Sequence, residues 1–253
     1  MSIILSIASK EFRSSFVTPL AYVILAGFIC MSGFFFFSLL QQYNGVVVQA
    51  MLMPDLNLNL NEWVITPYFQ TLEIILLFLI PILTMRSIAE EKRNGTFELL
   101  ITSPITVSEI VLGKFLGISF VVGIMLLLSF SFPLTLLFFA NPELAPMLVG
   151  FLGVFLFALM FTAIGIAISA STKSQTIAGV VGLVIMLLFY VIHAPAEYFG
   201  GWAGSTLQYI SPSNRLSLIS KGVFDLSDFI YFCSVILVGL FFANRILDAE
   251  RWR

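Results

Sequence analysis

Residues able to carry chemistry are scarce in this sequence. There is one histidine, His193, and there are two cysteines, Cys30 and Cys233, among 253 residues. Metal sites draw three or four ligands from Cys, His and acidic residues at short fixed spacings, and no such set occurs. Both cysteines sit inside apolar runs, the setting of small buried hydrophobes. A phosphate loop needs G-x-x-x-x-G-K-[ST]. Here Gly113-Lys114 is followed by Phe115 and has no upstream glycine at the required distance. His193 and Ser205 share one loop and could act as base and nucleophile, but no G-x-S-x-G elbow accompanies them. No catalytic, metal-binding or cofactor-binding residue is assigned. The remaining candidates are charges. Glu90, Glu91, Lys92, Arg93 and Glu98 fall within nine positions, and Glu73 stands alone in an apolar run. The cluster is either the rim of a docking surface or an ordinary charged turn. Glu73 is either a pathway-lining or gate-linked acid or a residue that reaches interfacial water, because a carboxylate in lipid is costly unless paired, hydrated or protonated.

The elements that must position these residues follow from composition. Hydrophobic residues make up 59% of the chain and charged residues 10%, with a net charge of −2 and a mean hydropathy of +1.04. Soluble domains carry about 25% charge. A soluble enzyme, a disordered chain and a disulfide scaffold are excluded, and nucleic acid has no electrostatic reason to bind. The expectation is an all-α polytopic membrane protein, a single transmembrane domain over 1–253. A span takes about 20 residues, and the apolar runs predict six: Pro19 to Leu40, Pro67 to Met85, Val111 to Ala140, Leu144 to Ala170, Thr176 to Ile192 and Phe229 to Leu247. Helix is required because lipid offers backbone groups no partner. No cleavable signal segment is evident.

Orientation follows from the basic residues. Lys10, Arg13, Arg86, Lys92, Arg93, Lys114, Lys173, Arg245, Arg251 and Arg253 fall on one side of the six spans, and only Arg215 and Lys221 on the other. Both termini are therefore expected in the cytoplasm. Residues 1–18 read as an amphipathic interfacial helix, with Ile4, Leu5, Ala8, Phe12 and Phe16 on one face. The plainer reading is a basic flank that only sets topology.

Between the second and third spans, residues 86–110 are too polar for lipid. Asn94-Gly95 is a helix stop, since glycine accepts the left-handed conformation at C′. Thr96 could cap a short helix from Phe97 to Ile101, ended by Ser103-Pro104. Thr106 and Glu109 have the spacing of a capping box that starts the third span. Phe97, Leu99 and Leu100 could fill a partner's groove, with Glu90, Glu91, Arg93 and Glu98 at the rim. Gly113 and Gly117 form a G-x-x-x-G, and Gly165 with Ser169 a second small pair. Both permit close helix approach, within one subunit or between two.

The segment EEKRNGTFELLITSPITVSEIVLGKFLG, Glu90 to Gly117, resembles the signature loop of type-2 ABC transporter permeases. The likeness continues in AIGIAISASTKSQTIAGVVG, Ala163 to Gly182, in ISPSNRLSLISKGVFDLSD, Ile210 to Asp228, and in Lys10-Glu11-Phe12. Within that family the chain looks most like permeases associated with bacterial gliding motility, and it is similar to copper-site maturation permeases of nitrous oxide reductase. The resemblance implies a bacterial cytoplasmic-membrane exporter subunit that forms a path with a second permease chain, same or related. Two separate ATP-binding subunits would dock on a coupling helix built from Glu90, Glu91, Arg93, Gly95, Thr96, Phe97, Glu98, Leu99 and Leu100. Thr172, Lys173, Ser174 and Gln175 would make a second contact, and Glu73 would belong to the pathway or its gate. The alternative is a mechanical or scaffold subunit that acts on outer partners without moving a solute.

Two outer loops complete the reading. In Gln41 to Thr66, leucines at 56, 58 and 60 alternate with asparagines at 57, 59 and 61, which is strand-like but short. Residues 193–228 are rich in glycine and aromatics, and the resemblance implies short re-entrant helices there.

Overall fold

The computed structural model describes residues 3–50, 59–102, 105–139, 142–192, 194, 201–222 and 225–251. Among these, every regular element is helical. The helices are α1 (Ile3–Val17), α2 (Pro19–Ala50), α3 (Thr66–Thr84), α4 (Ala89–Arg93), α5 (Thr96–Thr102), α6 (Val107–Phe139), α7 (Leu144–Ser171), α8 (Gln175–Val191), α9 (Trp202–Ile210), α10 (Pro212–Ser220) and α11 (Leu226–Arg251), with a π-helical turn, Asn61–Ile65, leading into α3.

Among the described residues five helices are long and apolar enough to cross a membrane, against six expected: α2, α3, α6, α7 and α11. The fifth predicted span, α8, is a continuous apolar helix of 17 residues. It measures about 26 Å at 1.5 Å per residue, a little under the hydrocarbon thickness of about 30 Å.

Local signals explain most boundaries. The capping box at Thr106 is formed. Its amide donates to Glu109 Oε2 at 2.9 Å, and the Glu109 amide donates back to Thr106 Oγ1 at 3.3 Å. Ser174 Oγ caps α8 by accepting from the Ile177 amide. Ser211 caps α10 by accepting from the Asn214 amide, with Pro212 at the first helical position, where its missing N–H costs nothing. The first predicted span stops ten residues short of the end of α2. Gln41, Gln42 and Asn44 read as loop, yet α2 continues through Asn44-Gly45 to Ala50. The alternating stretch lies mostly outside the described residues. Its end, Asn61, belongs to the π-helical turn and donates to the Glu143 carbonyl at 3.3 Å.

Helix α7 is the hub, in contact with α3, α6, α8, α10 and α11. Met147, Val154, Phe157, Phe161 and Ile166 are fully buried along it. Gly165 is the closest crossing: a Cβ there would fall 2.2 Å from Thr84 Oγ1 of α3. The ends of the bundle differ. One gathers α1, the starts of α2, α6 and α8, the ends of α3, α7 and α11, and the short helices α4 and α5. The opposite end is closed by α9 and α10.

Candidate functional site: a helical elbow held by two buried lysines

The charged segment forms an elbow at the end of the bundle that carries α1. Helix α3 stops at Thr84, a turn follows over 85–88, and α4 begins. The first amides of α4 would be orphans. They are capped from another helix, because Ile88 N and Ala89 N both donate to Ser169 Oγ of α7 at 3.1 Å, while that hydroxyl donates to the Met85 carbonyl at 3.3 Å. Gly165, one turn earlier, brings α7 close enough for this. Gly95 has φ of 73°, the left-handed stop foreseen after Asn94, and α5 starts at Thr96. Thr96 Oγ1 donates back to the Glu91 carbonyl at 3.3 Å.

Two buried ammonium groups anchor the elbow. Lys92 on α4 forms an ion pair of 2.6 Å with Glu250 on α11. It also donates to the Ala170 carbonyl near the end of α7, where the last carbonyls lack helical partners. The Phe97 ring of α5 lies 5.4 Å from the same ammonium, within cation–π range. Lys114 on α6 donates to the Ser87 carbonyl at 2.6 Å and to Glu11 Oε2 of α1 at 3.3 Å. It stands 2.9 Å from Glu91 Oε2, an ion pair without hydrogen-bond alignment. Lys10 reaches the other Glu91 oxygen at 3.8 Å. Both lysine side chains are only 2% exposed. A charge buried to that degree is tolerated only with partners, and here the partners come from α1, the 85–88 turn, α4, α7 and α11.

The G-x-x-x-G around Lys114 makes this possible. A Cβ on Gly113 would lie 2.7 Å from Ile7 Cβ, and one on Gly117 2.6 Å from Glu11 Cβ. These glycines seat α1 on α6 within one chain. The face of α1 that packs is largely the expected one, with Ala8 buried and Ile4, Phe12 and Phe16 half-buried. Leu5 is the exception, 47% exposed, and Ile7 and Glu11 join the contact with α6.

The predicted docking residues divide. Phe97 is turned into its own chain, 5% exposed, and Glu91 is occupied by two lysines of its own chain. Glu90 is half-buried. Arg93, Thr96, Glu98 and Leu99 are exposed, Leu99 at 72%. The Leu100 side chain lies outside the described residues. The second predicted contact is beside the first: the turn from Thr172 to Gln175 joins α7 and α8 next to α4, with Lys173 exposed and Thr172 Oγ1 accepting from the Ser174 amide at 3.2 Å. Glu73 is elsewhere, midway along α3. It is 1% exposed, and its Oε1 has no hydrogen-bond partner among the described residues. His193 lies outside the described residues.

At the far end, a Cβ on Gly153 of α7 would fall 2.6 Å from Leu216 and 2.5 Å from Ile219 of α10. That is about 14 Å along α7 from its start. Arg215 is clamped between the rings of Tyr209 and Tyr231, at 4.0 and 4.5 Å, and paired with Asp228 at the start of α11.

This elbow sits in a chain whose residues 5–242 match the sequence model of a family described as ABC-2 family transporter protein. The chain belongs to the ABC-2 transporter family. It is thereby a type-2 permease, a membrane subunit of an ABC transporter. Members of this family generally work with ATP-binding subunits. No curated protein matches the chain. The lysine network was missed by sequence reading, although a signal was available. A lysine four residues into an apolar run needs a counter-charge, and glycines on either side of it mark where another helix comes close.

Proposed function

We propose that this ABC-2 permease is half of an exporter's translocation path, in the bacterial cytoplasmic membrane, with both termini in the cytoplasm. Six crossings are completed by α8, whose ends lie at opposite ends of the bundle. Helices α9 and α10 re-enter from the outer side. Two permease chains line the path between them, and two ATP-binding subunits dock on α5 with the α7–α8 turn beside it. ATP-driven closure of those subunits moves the coupling elbows, and the spans alternate access.

The observation that carries this reading is the anchoring of the elbow. Through Ser169, Lys92 and Lys114 it is tied to α7, α11, α6 and α1, so displacement of α5 is borne by most of the bundle rather than absorbed by a loose loop. The docking chemistry then falls to Leu99, Glu98 and Arg93, with Lys173 beside them. Phe97 supports α5 from below.

The test is complex formation and stimulated ATP hydrolysis with the cognate ATP-binding subunit. Leu99→Asp and Glu98→Lys should lower both by at least about tenfold, each removing roughly 1.5 kcal/mol or more of contact, while membrane insertion stays normal. Unchanged yield and hydrolysis in both variants would refute docking at α5.

A further inference from the structure

Beside the elbow, between α1, the end of α3 and α6, lies a cavity of about 320 Å³, in the size range of ligand sites. Its polar half carries three cations, Lys10, Arg86 and Lys114, and three acids, Glu11, Glu90 and Glu91. The Lys114 ammonium is consumed by Glu11, Glu91 and the Ser87 carbonyl, and Lys10 faces Glu91. Two donors are left over. Arg86 Nε and Ser87 Oγ are buried without a hydrogen-bond partner, and Ser87 is 2% exposed. Among the described residues Arg86 also has no ion-pair partner. An unused guanidinium N–H and an unused hydroxyl lining one cavity are the donor types that suit a phosphate. The remaining acid, Glu90, sits four residues along the same segment and suits an ammonium.

The other half of the cavity is apolar: Ala21 and Ile24 of α2, Ile82 and Leu83 of α3, and Ile118 of α6. Ile82 lies in the last turn of α3 and Arg86 in the turn that follows it, so the wall changes from charged to apolar within about one turn of chain, on the order of the headgroup layer of a bilayer, about 5–8 Å on each side. Ile82 lies on the exposed flank of α3, 36% exposed, which leaves a side route for a chain.

We infer that this cavity binds one phospholipid with a zwitterionic amino headgroup, its phosphate on Arg86 and Ser87, its ammonium toward Glu90 and its acyl chain along Ile82 and Ile24. The headgroup is zwitterionic because the lining charges cancel, and an acidic lipid would bring an uncompensated negative charge. The cavity does not include the docking residues Arg93, Glu98 and Leu99, and testing it needs no ATP-binding subunit.

Native mass spectrometry of the full chain from mild detergent would count retained lipid after titration with phosphatidylethanolamine, phosphatidylcholine or phosphatidylglycerol. One phosphatidylethanolamine should be held, with phosphatidylcholine about tenfold weaker, since its quaternary ammonium cannot donate to a carboxylate. Arg86→Gln should weaken retention about tenfold. Ile82→Trp, which narrows the apolar side and leaves every charge in place, should weaken it with the fold intact. Water-soluble glycerophosphoethanolamine should not raise the unfolding temperature as the lipid does. Equal retention by the wild type and both variants, preference for phosphatidylglycerol, or equal stabilisation by the soluble headgroup would each overturn the assignment.

Discussion

Lys114 shows how one buried charge organises this end of the protein. Its three partners, two acceptors and one ion pair, come from α1, the turn after α3 and α4, so no single helix satisfies it. Replacing it with methionine keeps the volume but strands Glu11 and Glu91 against each other. Loss of one partner from a buried pair costs about 3–5 kcal/mol. With both glutamates partly hydrated, the lower figure applies. Lys114→Met should therefore lower the unfolding midpoint in detergent by several degrees. Adding Glu11→Gln and Glu91→Gln should recover part of the loss, because the repulsion goes with the charges. A triple variant no better than the single one would show that Lys114 acts by packing alone. The need for a counter-charge was visible in sequence, but its source was not: Glu11 and Lys114 are 103 positions apart, and only the seating of α1 on α6 brings them together.

At the scale of elements, α1 is a packed helix and not merely an interfacial flank. The glycines that seat it lie on α6, so the contact is testable without touching α1. Gly117→Leu would place its side chain where the Glu11 side chain and the Ala8 carbonyl now stand. Backbone and a buried ion pair cannot yield cheaply, so α1 should be displaced. Amide exchange over residues 3–17 should accelerate at least about tenfold, equivalent to roughly 1.4 kcal/mol of lost protection, while α7 stays protected. Unchanged exchange would mean that α1 is held elsewhere. The small-residue pattern was legible in the sequence. Its partner was not, because a G-x-x-x-G states that something approaches closely and not what does.

For the whole molecule, the arrangement of ends can be checked directly. Lys173 lies in the turn beside α4, and Ser205 on α9 lies at the opposite end; both are exposed. In a chain freed of Cys30 and Cys233, Lys173→Cys should react with an impermeant maleimide only after the membrane is opened, and Ser205→Cys in intact cells. Labelling of both from one side would contradict the proposed topology and the six crossings with it. The clamp on Arg215 belongs to the same scale, because it joins α9 and α10 to α11 and sets how the outer end is closed. Arg215→Ala would leave Asp228 buried and unpaired, at a cost of about 3–5 kcal/mol, read as earlier exchange of α9 and α10 than of α3.

What the amino-acid order determined by itself is everything local or cumulative. Apolar runs in a chain with few charges demand helices, since lipid leaves backbone groups no other partner. Asn94-Gly95, Thr106 with Glu109 and Ser211-Pro212 place breaks and starts through bonds that reach three or four residues. What only the tertiary structure decided is which side chains meet. Phe97 turned inward, Glu91 was claimed by Lys114 and Lys10, Glu73 was enclosed, and Arg86 was left with an unused donor in a cavity. Those outcomes depend on how closely α1, α6 and α7 approach, and a contact across 80 or 100 positions is settled by packing, to which spacing along the chain gives no clue.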